Sequence, residues 1–303
     1  MLEHMIHIMG IVNLTPDSFY QGSRTSVDAF MPKVRQMIED GADVIDIGAC
    51  STRPGAPRPS VEEEWARLEP ALCEIAGYSV PGACAPTHKS SGRGPQLAAF
   101  PNTQQRLGRP EGAERPESPG MEYPAISIDT YRPEIVRRAY DIIGPFIVND
   151  VAGGEPEMLK VVGELGLPYI AMHPKEPVGD VIEDQLAFFN EFDKRAQDAG
   201  VKDWILDPGF GFGKTIGQNY EILRRLEELH AAGRDILVGI SRKSMIYKVL
   251  GITPDEAMPE TLALEMIALQ KGATWLRVHD VAPTARMVKI YSTMYTSSPG
   301  AAK

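Results

Sequence analysis

The chain has 303 residues, and its 31 Lys and Arg against 41 Asp and Glu give a formal net charge of −10. Hydrophobic types make up 43% and charged types 24%, the balance of an ordinary globular protein rather than a disordered or fibrous one. The acidic balance argues against a nucleic-acid partner, because binding to a polyanion needs clustered positive charge. No run of about 18 apolar residues is present, so we expect no membrane-spanning helix.

The N-terminus is too short and polar to predict a signal peptide. The three cysteines, Cys50, Cys73 and Cys84, form no C-x-x-C pair and leave an odd count. We therefore expect free thiols and a cytoplasmic location.

Short β-branched or apolar segments alternate with longer amphipathic segments along the chain. The predicted strands are Ile6–Val12, Val44–Gly48, Ala125–Asp129, Phe146–Asn149, Tyr169–Met172, Trp204–Asp207, Ile236–Gly239 and Trp275–Val278. The predicted helices are Val27–Asp40, Val61–Ile75, Pro133–Asp141, Pro156–Leu165, Val181–Ala199, Gln218–Ala232, Pro259–Lys271 and Pro283–Met294. Ser60 and Glu63 form a capping-box pattern at the second helix. Eight such units predict a closed (β/α)8 TIM barrel, an α/β fold, more than an open doubly wound sheet.

One segment interrupts this alternation. Gly77–Glu122 contains seven Gly and seven Pro in 46 residues and shows neither a period of 2 nor one of 3.6. We interpret it as a flexible insertion between helix two and strand three of a single barrel domain spanning residues 1–303. Connections from a helix to the next strand lie at the N-terminal face of a barrel, opposite the face that carries active sites.

Polar residues end or follow seven of the eight predicted strands, at the face where barrel enzymes place their active sites. A single polar residue at a strand end is often only a helix cap, but seven together predict a shared site. Three acceptors, Asp129, Asn149 and Asp207, suit a flat heterocycle with N–H donors. Cationic and ring-nitrogen groups that could converge on a phosphate-type anion are Arg53, Arg242, Lys243, Arg277 and His279.

The glycine-rich stretch at residues 209–215 is not a nucleotide-binding loop. A P-loop would need Gly where the chain has Pro208, and Gly213 comes one position too early for G-x-G-x-x-G. We expect its glycines to let the backbone pass close to a ligand, with Phe212 or Lys214 on the rim. No His spacing indicates a metal cluster, so any metal is expected to be Mg²⁺ that bridges substrate phosphates.

Seven ordered motifs resemble those of the dihydropteroate synthases, a family of pterin-binding enzymes. They are Met9–Phe19, Asp46–Gly48 with Ser51–Ala56, Ser127–Tyr131, Asn149–Asp150, Asp207–Lys214, Gly239–Ser244 and Arg277–Asp280. Together they cover all of the chain except the insertion and the termini. The resemblance implies condensation of a dihydropterin methyl diphosphate with 4-aminobenzoate, and it implies small-molecule substrates, Mg²⁺ and a homodimer.

The resemblance also implies a role for each matching residue. The pterin would be held by Asp129, Asn149, Asp207 and Lys243, with Met172 beneath the ring. Asn13 would help to hold Mg²⁺ and the diphosphate, and Arg277 with His279 would bind the diphosphate. Thr52, Arg53 and Pro54 match a mobile second loop, Phe19 and Ser241 match the 4-aminobenzoate pocket, and Asp17 and Asp46 match positions near the reaction centre. The predicted catalytic set is therefore Asp17, Asp46, Arg53 and Lys243, and Phe212, Lys214 and Arg242 complete the predicted substrate-binding set.

Ala49-Cys50 stands where many members of the family have Gly-Glu, which is one departure from the pattern. Two other functions fit part of this pattern. A methyltetrahydrofolate-binding methyltransferase domain would share the pterin acceptors but would not need a diphosphate site. A non-catalytic pterin-binding barrel would be expected to have lost some of these residues.

Overall fold

A computed structural model describes residues 5–14, 27–50, 59–77 and 125–296. The predicted site residues Asp17, Phe19, Thr52, Arg53 and Pro54 lie outside these ranges, as does the predicted insertion except for Gly77. No helix in these four ranges is both long and apolar enough to cross a membrane.

Eight strands and nine α-helices occupy the described ranges. The strands are β1 (His7–Asn13), β2 (Val44–Gly48), β3 (Ala125–Asp129), β4 (Ile147–Asp150), β5 (Tyr169–Met172), β6 (Trp204–Asp207), β7 (Leu237–Val238) and β8 (Trp275–Val278). The helices are α1 (Val27–Glu39), α2 (Val61–Ile75), α3 (Pro133–Ile143), α4 (Pro156–Leu165), α5 (Val181–Asp198), α6 (Ile216–Arg224), α7 (Ser244–Leu250), α8 (Met258–Gln270) and α9 (Val281–Thr296). A 3₁₀ helix, Leu226–Ala232, follows α6.

Most elements begin and end within two residues of the prediction, and the capping box at Ser60 and Glu63 is confirmed. Two helices differ. The predicted helix Gln218–Ala232 divides into α6 and the 3₁₀ helix. Helix α7 was not predicted, because seven residues are too few to show a helical period clearly.

The strands form one parallel sheet in the order β6-β5-β4-β3-β2-β1-β8-β7. The ring closes where Leu206 of β6 bridges in parallel to Ile236, directly before β7. The Leu206 N–H also donates to the Asp235 carbonyl at 2.9 Å. The predicted (β/α)8 TIM barrel is therefore confirmed.

Two layers of side chains fill the inside of the barrel. One residue from each strand forms an apolar layer near the N-terminal ends: Met9, Val44, Ala125, Ile147, Ile170, Ile205, Leu237 and Trp275. Because successive side chains of a strand alternate between its faces, the residues two positions further on also point inward. These residues are Ile11, Asp46, Ser127, Asn149, Met172, Asp207, Gly239 and Arg277. The alternation of side chains along each strand thus places a mainly polar layer directly above the apolar layer.

A larger apolar cluster lies between the barrel and its surrounding helices. The outward-facing Ile45, Ile126 and Val148 belong to it, together with helix residues such as Phe189 and Phe192 of α5. Each fully buried side chain of this size contributes about 1.5–3 kcal/mol to the free energy of folding. This packing holds the strands in register and so gives the inner polar layer a rigid frame.

The cysteines differ from one another. Cys50 carries a buried thiol in contact with the Tyr131 hydroxyl. Cys73 is disulfide-bonded. The expectation of free thiols is therefore wrong at Cys73.

Candidate active site

Asp46 is the centre of the polar layer inside the barrel. Its carboxylate accepts a hydrogen bond from the Ser127 hydroxyl at 2.7 Å and two long contacts from the Asn149 amide at 3.2 and 3.3 Å. Two nitrogens of the Arg277 guanidinium contact Asp46 Oδ2, Nη2 at 2.6 Å and Nε at 2.7 Å. Asp46 is fully buried, and these groups surround both of its oxygens. It contacts protein groups below the mouth of the barrel, which suits an orienting role better than the predicted catalytic one.

Asp129, at the end of β3, lies next to this centre. Its Oδ2 accepts from Arg277 Nη2 at 2.8 Å, whereas its buried Oδ1 has no hydrogen-bond partner among the described residues. Burial raises the pKa of Asp129 to about 7, against the opposing effect of Arg277. A buried acceptor without a partner is costly in a folded protein and indicates a place for a ligand donor.

Arg277 is held between two carboxylates. Burial acts to lower its pKa, but Asp46 and Asp129 outweigh that effect and keep the pKa raised. The guanidinium is therefore a permanent positive charge, and its side chain remains 20% exposed at the mouth. This combination suits an anion that approaches from the solvent side.

Asp207, at the end of β6, and Lys243, after β7, carry opposite charges that interact electrostatically. Asp207 accepts from the Gly209 N–H at 2.8 Å, and burial raises its pKa while Lys243 opposes that rise. The Lys243 ammonium donates to the Phe210 carbonyl at 2.6 Å and lies 5.1 Å from the centre of the Phe212 ring. Burial lowers the pKa of Lys243 to about 8.

Met172 supplies an apolar surface between these polar groups. It is fully buried, lies opposite Asp207 in the pairing of β5 with β6, and points inward like Ile170 two residues before it. A flat ring that donates hydrogen bonds to the neighbouring carboxylates would have this thioether as an apolar contact.

Gly48 brings Asn13 and Asp129 close to each other. A Cβ on Gly48 would lie 3.3 Å from the Asn13 Oδ1 atom and 3.5 Å from the Asp129 Cβ. The approach to the Asn13 oxygen is tight for a side chain, so glycine at the end of β2 leaves room for this oxygen near the Asp129 side chain.

The turn after β7 points its residues in alternate directions. The Ser241 hydroxyl lies 3.0 Å from the His279 Nδ1, and Lys243 faces Asp207. Arg242 between them has a φ of 54°, an unusual backbone conformation for a residue with a side chain. Ser241 and Lys243 therefore join the candidate site, while Arg242 does not.

Arg242 is instead tied to the structure behind the turn. Its Nε and Nη2 donate to the two carboxylate oxygens of Asp280 at 2.7 and 2.8 Å. Its Nη1 donates to the carbonyls of Pro254 and Asp255 at 2.8 and 2.6 Å. The structure thus does not bring Arg242 to the other cations as the charge pattern predicted, and its contacts support the strained turn.

His279 enters the site as a neutral ring. Burial, with further contributions from Arg277 and Arg242, lowers the pKa of His279 to about 3. The lowered pKa favours a neutral imidazole in the protein without ligand, and binding of an anion by His279 stays a prediction. The imidazole offers directed hydrogen bonding beside Arg277, and a bound anion would stabilise its protonated form.

The glycine-rich loop packs against the loop between β5 and α5. Gly209 and Gly213 have φ values of 69° and 63°, and a Cβ on Gly209 would lie 2.2 Å from the His173 carbonyl oxygen. Lys214 donates to the carbonyls of His173, Gly209 and Phe212, each at 3.0 Å. The glycines and Lys214 therefore hold this loop against the β5–α5 loop. Lys214 lies behind the predicted rim of the ligand site, whereas Phe212 lies at the rim because it contacts Lys243.

Ser127 is the site residue that the sequence analysis missed. Only its inward position between Ala125 and Asp129 on one strand could have indicated it, by the period of two. Taken together, the site offers carboxylate acceptors at Asp129 and Asp207 and a fixed cation at Arg277. It can bind a planar donor-rich ring and an anion at the same time.

Comparison with known families gives a clear match. The pattern of the family described as "Pterin binding enzyme" matches residues 9–82 and 118–279. The interruption between 82 and 118 falls within the predicted insertion.

Relatives and solved structures agree with that match. The chain is 36% identical to the dihydropteroate synthase of Escherichia coli (strain K12) over 298 residues, 94% of this chain and 90% of that protein. It is 35% identical to the dihydropteroate synthase of Bacillus subtilis (strain 168), over 95% of this chain and 88% of that protein. The structure of Xanthomonas albilineans dihydropteroate synthase with 4-aminobenzoic acid superposes with a TM-score of 0.76 and 30% identity, over 97% of this chain and 94% of that one. The Coxiella burnetii dihydropteroate synthase in complex with pteroic acid gives 0.75 and 27% identity, over the same shares of the two chains.

Proposed function

The chain belongs to the family of pterin binding enzymes, and we propose that it catalyses the dihydropteroate synthase reaction. The reaction breaks the bond between the methylene carbon of a 7,8-dihydropterin-6-ylmethyl diphosphate and its diphosphate oxygen. It joins that carbon to the amine nitrogen of 4-aminobenzoate, which then loses a proton. The products are 7,8-dihydropteroate and diphosphate. Among the contacts inside the barrel, the Asp129–Arg277 pair gives this proposal its strongest support.

That pair offers an acceptor for the pterin and a positive charge for the diphosphate at adjacent positions. Asp129 Oδ1 is a buried acceptor with no partner among the described residues, which suits a pterin N–H. Arg277 holds the other oxygen of the same carboxylate at 2.8 Å and still reaches the mouth of the barrel. Pterin binding and diphosphate binding would thus be adjacent.

The pterin would lie on Met172 and be held by acceptors on three sides. Asp129 and Asp207 supply carboxylate oxygens, and Asn149 supplies an amide whose orientation is set by Asp46. Lys243 lies above the Phe212 ring and can donate to a ring acceptor. The barrel therefore matches donors and acceptors on the edge of a flat heterocycle.

Departure of diphosphate is the step that most needs help from the protein. As the carbon–oxygen bond breaks, electron donation from the pterin ring stabilises the methylene, and the negative charge grows on the diphosphate. Arg277 supplies a fixed positive charge for it and His279 a hydrogen-bonding ring, which together stabilise the departing group. The amine then needs only to be positioned behind the methylene carbon, with Ser241 in its pocket.

Mg²⁺ is the cofactor we propose. No group of three His, Cys, Asp or Glu side chains in the described ranges could hold a metal alone, which fits an ion that takes most of its ligands from diphosphate and water. The Asn13 carboxamide oxygen, beside Asp129, would be its protein ligand. When bound, the ion would add positive charge to the leaving diphosphate.

The direct test is release of diphosphate by the purified protein with both substrates and Mg²⁺. We expect release that requires both substrates and stops when the metal is chelated. Asp129→Asn should weaken pterin binding, because the amide replaces one acceptor oxygen with a donor. The exposed Asp141→Asn serves as the matched control. A folded wild-type protein that releases no diphosphate would overturn the proposal.

We also propose a homodimer in the cytoplasm. Large apolar side chains are exposed on the last three helices, among them Val249 and Leu250 of α7, Ile267 of α8, and Ile290 and Met294 of α9. Burial of such residues drives stable association. Light scattering would measure the mass in solution. Because disulfides are rare in the cytoplasm, alkylation in intact cells tests the location, and a Cys73 that stays disulfide-bonded there would contradict it.

A further inference from the structure

A buried lysine joins two loops at the C-terminal ends of neighbouring strands. Lys214 directly precedes the N-cap of α6 and is 9% exposed. In the loop after β6, its ammonium donates to the carbonyls of Gly209 and Phe212, each at 3.0 Å. In the loop after β5, it donates to the His173 carbonyl at 3.0 Å and lies 3.4 Å from the Lys175 carbonyl. In the described part of the chain, all hydrogen-bond partners of this ammonium are therefore backbone carbonyls, two from each loop.

An apolar side chain would fill the space of Lys214 at a lower cost. Burial of an ammonium is unfavourable unless hydrogen bonds replace those it made to water. Burial does lower the pKa of Lys214 to about 7, against the opposing effect of Asp207. What an apolar side chain could not supply is a set of directed hydrogen bonds. The three N–H donors of an ammonium can hold two backbones relative to each other.

Gly209 connects this ammonium to the acceptor Asp207. The Gly209 N–H donates to Asp207 Oδ1 at 2.8 Å, while the Gly209 carbonyl accepts from Lys214. A Cβ on Gly209 would lie 2.2 Å from the His173 carbonyl oxygen, so the two loops are in close contact at this residue. A shift of Gly209 would therefore move the donor that orients the Asp207 carboxylate.

Phe212 connects the same ammonium to Lys243. The Phe212 carbonyl accepts from Lys214, and the Phe212 ring centre lies 5.1 Å from the Lys243 ammonium. Lys243 also donates to the Phe210 carbonyl of this loop at 2.6 Å. The loop after β6 thus contacts Lys214 and also two groups of the candidate pterin site, Asp207 and Lys243.

The loop after β5 is a firm anchor for these contacts. His173 is fully buried, and its Nε2 lies 2.9 Å from Asp184 Oδ2 of α5. The His173 backbone N–H donates to the Asp207 carbonyl at 3.0 Å. Lys214 therefore joins the loop after β6 to a residue that is already held by a helix and by a neighbouring strand.

We propose that Lys214 is a positioning residue for the pterin ring, because its ammonium holds Gly209 and Phe212. Through these two residues it sets the places of Asp207 and Lys243. The inference rests on the pterin-binding part of the proposed function. It differs from the prediction that Lys214 meets the substrate at the rim, since Lys214 acts here through other residues.

Two variants remove the ammonium in different ways. Lys214→Ala removes the ammonium with most of its stem, a group that corresponds to n-propylammonium. Lys214→Met retains most of the length without a donor, and it provides a second route if the alanine variant fails to fold. Gln185 and Asn219 still hold the loop, at the Pro208 carbonyl and the Gly211 N–H, so we expect both variants to fold.

Lys202 supplies the matched control. It is exposed and lies two residues before β6, at the opposite end of the same strand. Lys202→Met therefore removes one positive charge from the same unit of the barrel but leaves the carbonyl contacts of Lys214 in place.

The experiment measures the binding of a pterin without a diphosphate by calorimetry, together with the Tm. For both Lys214 variants we expect the affinity to fall about tenfold or more, the scale for one or two misplaced hydrogen bonds. Lys202→Met should bind within about twofold of the wild type. n-Propylammonium should restore most of the affinity of Lys214→Ala but not that of Lys214→Met, whose side chain fills the space. Tetramethylammonium should restore neither, because it carries the charge without an N–H donor.

Three results would contradict these expectations. A purely structural role would lower the Tm and leave the pterin affinity of the folded Lys214 variants equal to that of Lys202→Met, which overturns the inference. Equal restoration of Lys214→Ala by the two cations would also overturn it, because charge alone would then suffice. A wild type that binds the pterin but releases no diphosphate contradicts the proposed reaction alone, whereas a wild type that binds no pterin overturns both.

Discussion

Asp46→Asn tests whether the buried carboxylate orients the site or takes part in proton transfer. In the wild type, Asp46 faces donors from Ser127, Asn149 and Arg277. Asparagine retains one oxygen. If that oxygen faces Arg277, the new NH2 group points at the NH2 group of Asn149, so that two donors face each other. The Ser127 hydroxyl can rotate and accept a hydrogen bond from the new NH2 group.

The expected cost follows from these contacts. Arg277 keeps Asp129 as a counter-charge but loses the carboxylate that lies 2.6 Å from Nη2. Disruption of a buried ion pair by removing one partner costs about 3–5 kcal/mol. We therefore expect the free energy of unfolding to fall by about 3–5 kcal/mol, with weaker pterin binding because Asn149 is no longer held.

Urea unfolding and calorimetric pterin binding measure the two effects, and the exposed Asp141→Asn is the control. An orienting residue changes kcat/KM without changing the shape of its pH dependence. A variant with unaltered stability and pterin affinity, but without one limb of the pH profile, would refute the orienting role.

Three further outcomes are expected. Asp207→Asn should keep the contact with the Gly209 N–H but place an amide donor towards the pterin ring. Pterin binding measured by calorimetry should therefore weaken by about 1–3 kcal/mol, and an equal affinity would contradict the acceptor role of Asp207. Burial raises the pKa of Glu265 to about 8 from its ordinary 4.5, so the free energy of unfolding should fall as pH rises between those values. Glu265→Gln retains an acceptor for the Thr284 hydroxyl and should remove this pH dependence of the free energy of unfolding, measured with urea. The variant should therefore stabilise the protein more near pH 8.5 than near pH 5, and an unchanged pH dependence would contradict the raised pKa of Glu265. Replacement of Ser79–Gly120 by a short Gly/Ser linker should leave kcat/KM within a few-fold, since α2 ends and β3 begins on the face opposite the site; a loss of turnover at unchanged Tm would show that the insertion reaches the site.

The fold was largely predictable because the barrel repeats one local pattern. Each strand is a short apolar run, and each long helix carries a stripe of apolar residues, so period and length separate the two. The failures are helix α7, which has only seven residues, and the predicted helix Gln218–Ala232, which divides into α6 and a 3₁₀ helix. Strand β7 was predicted although it has only two residues.

The site was predictable wherever it follows the strand period. Asn149, Asp207 and Arg277 occupy inward positions two residues beyond the apolar layer, and Asp129 lies four residues beyond Ala125 on the same face of its strand; all four were predicted from the sequence. Their pairing was not predictable, because which carboxylate meets which cation depends on strands far apart in the chain. Asp46 illustrates this, since the family resemblance predicted a catalytic role, whereas its contacts with Arg277 and Asn149 favour an orienting one.

The cations show why residue type alone could not define the anion site. Arg242, Lys243 and Arg277 carry the same charge and follow neighbouring strands, yet they meet different partners: Asp280 with backbone carbonyls, the Phe210 carbonyl, and two buried carboxylates. Arg242 has a φ of 54°, and its guanidinium donates to residues 254, 255 and 280, whereas Ser241 and Lys243 contact residues of the candidate site. Contacts over such sequence distances leave no periodic signal in the chain.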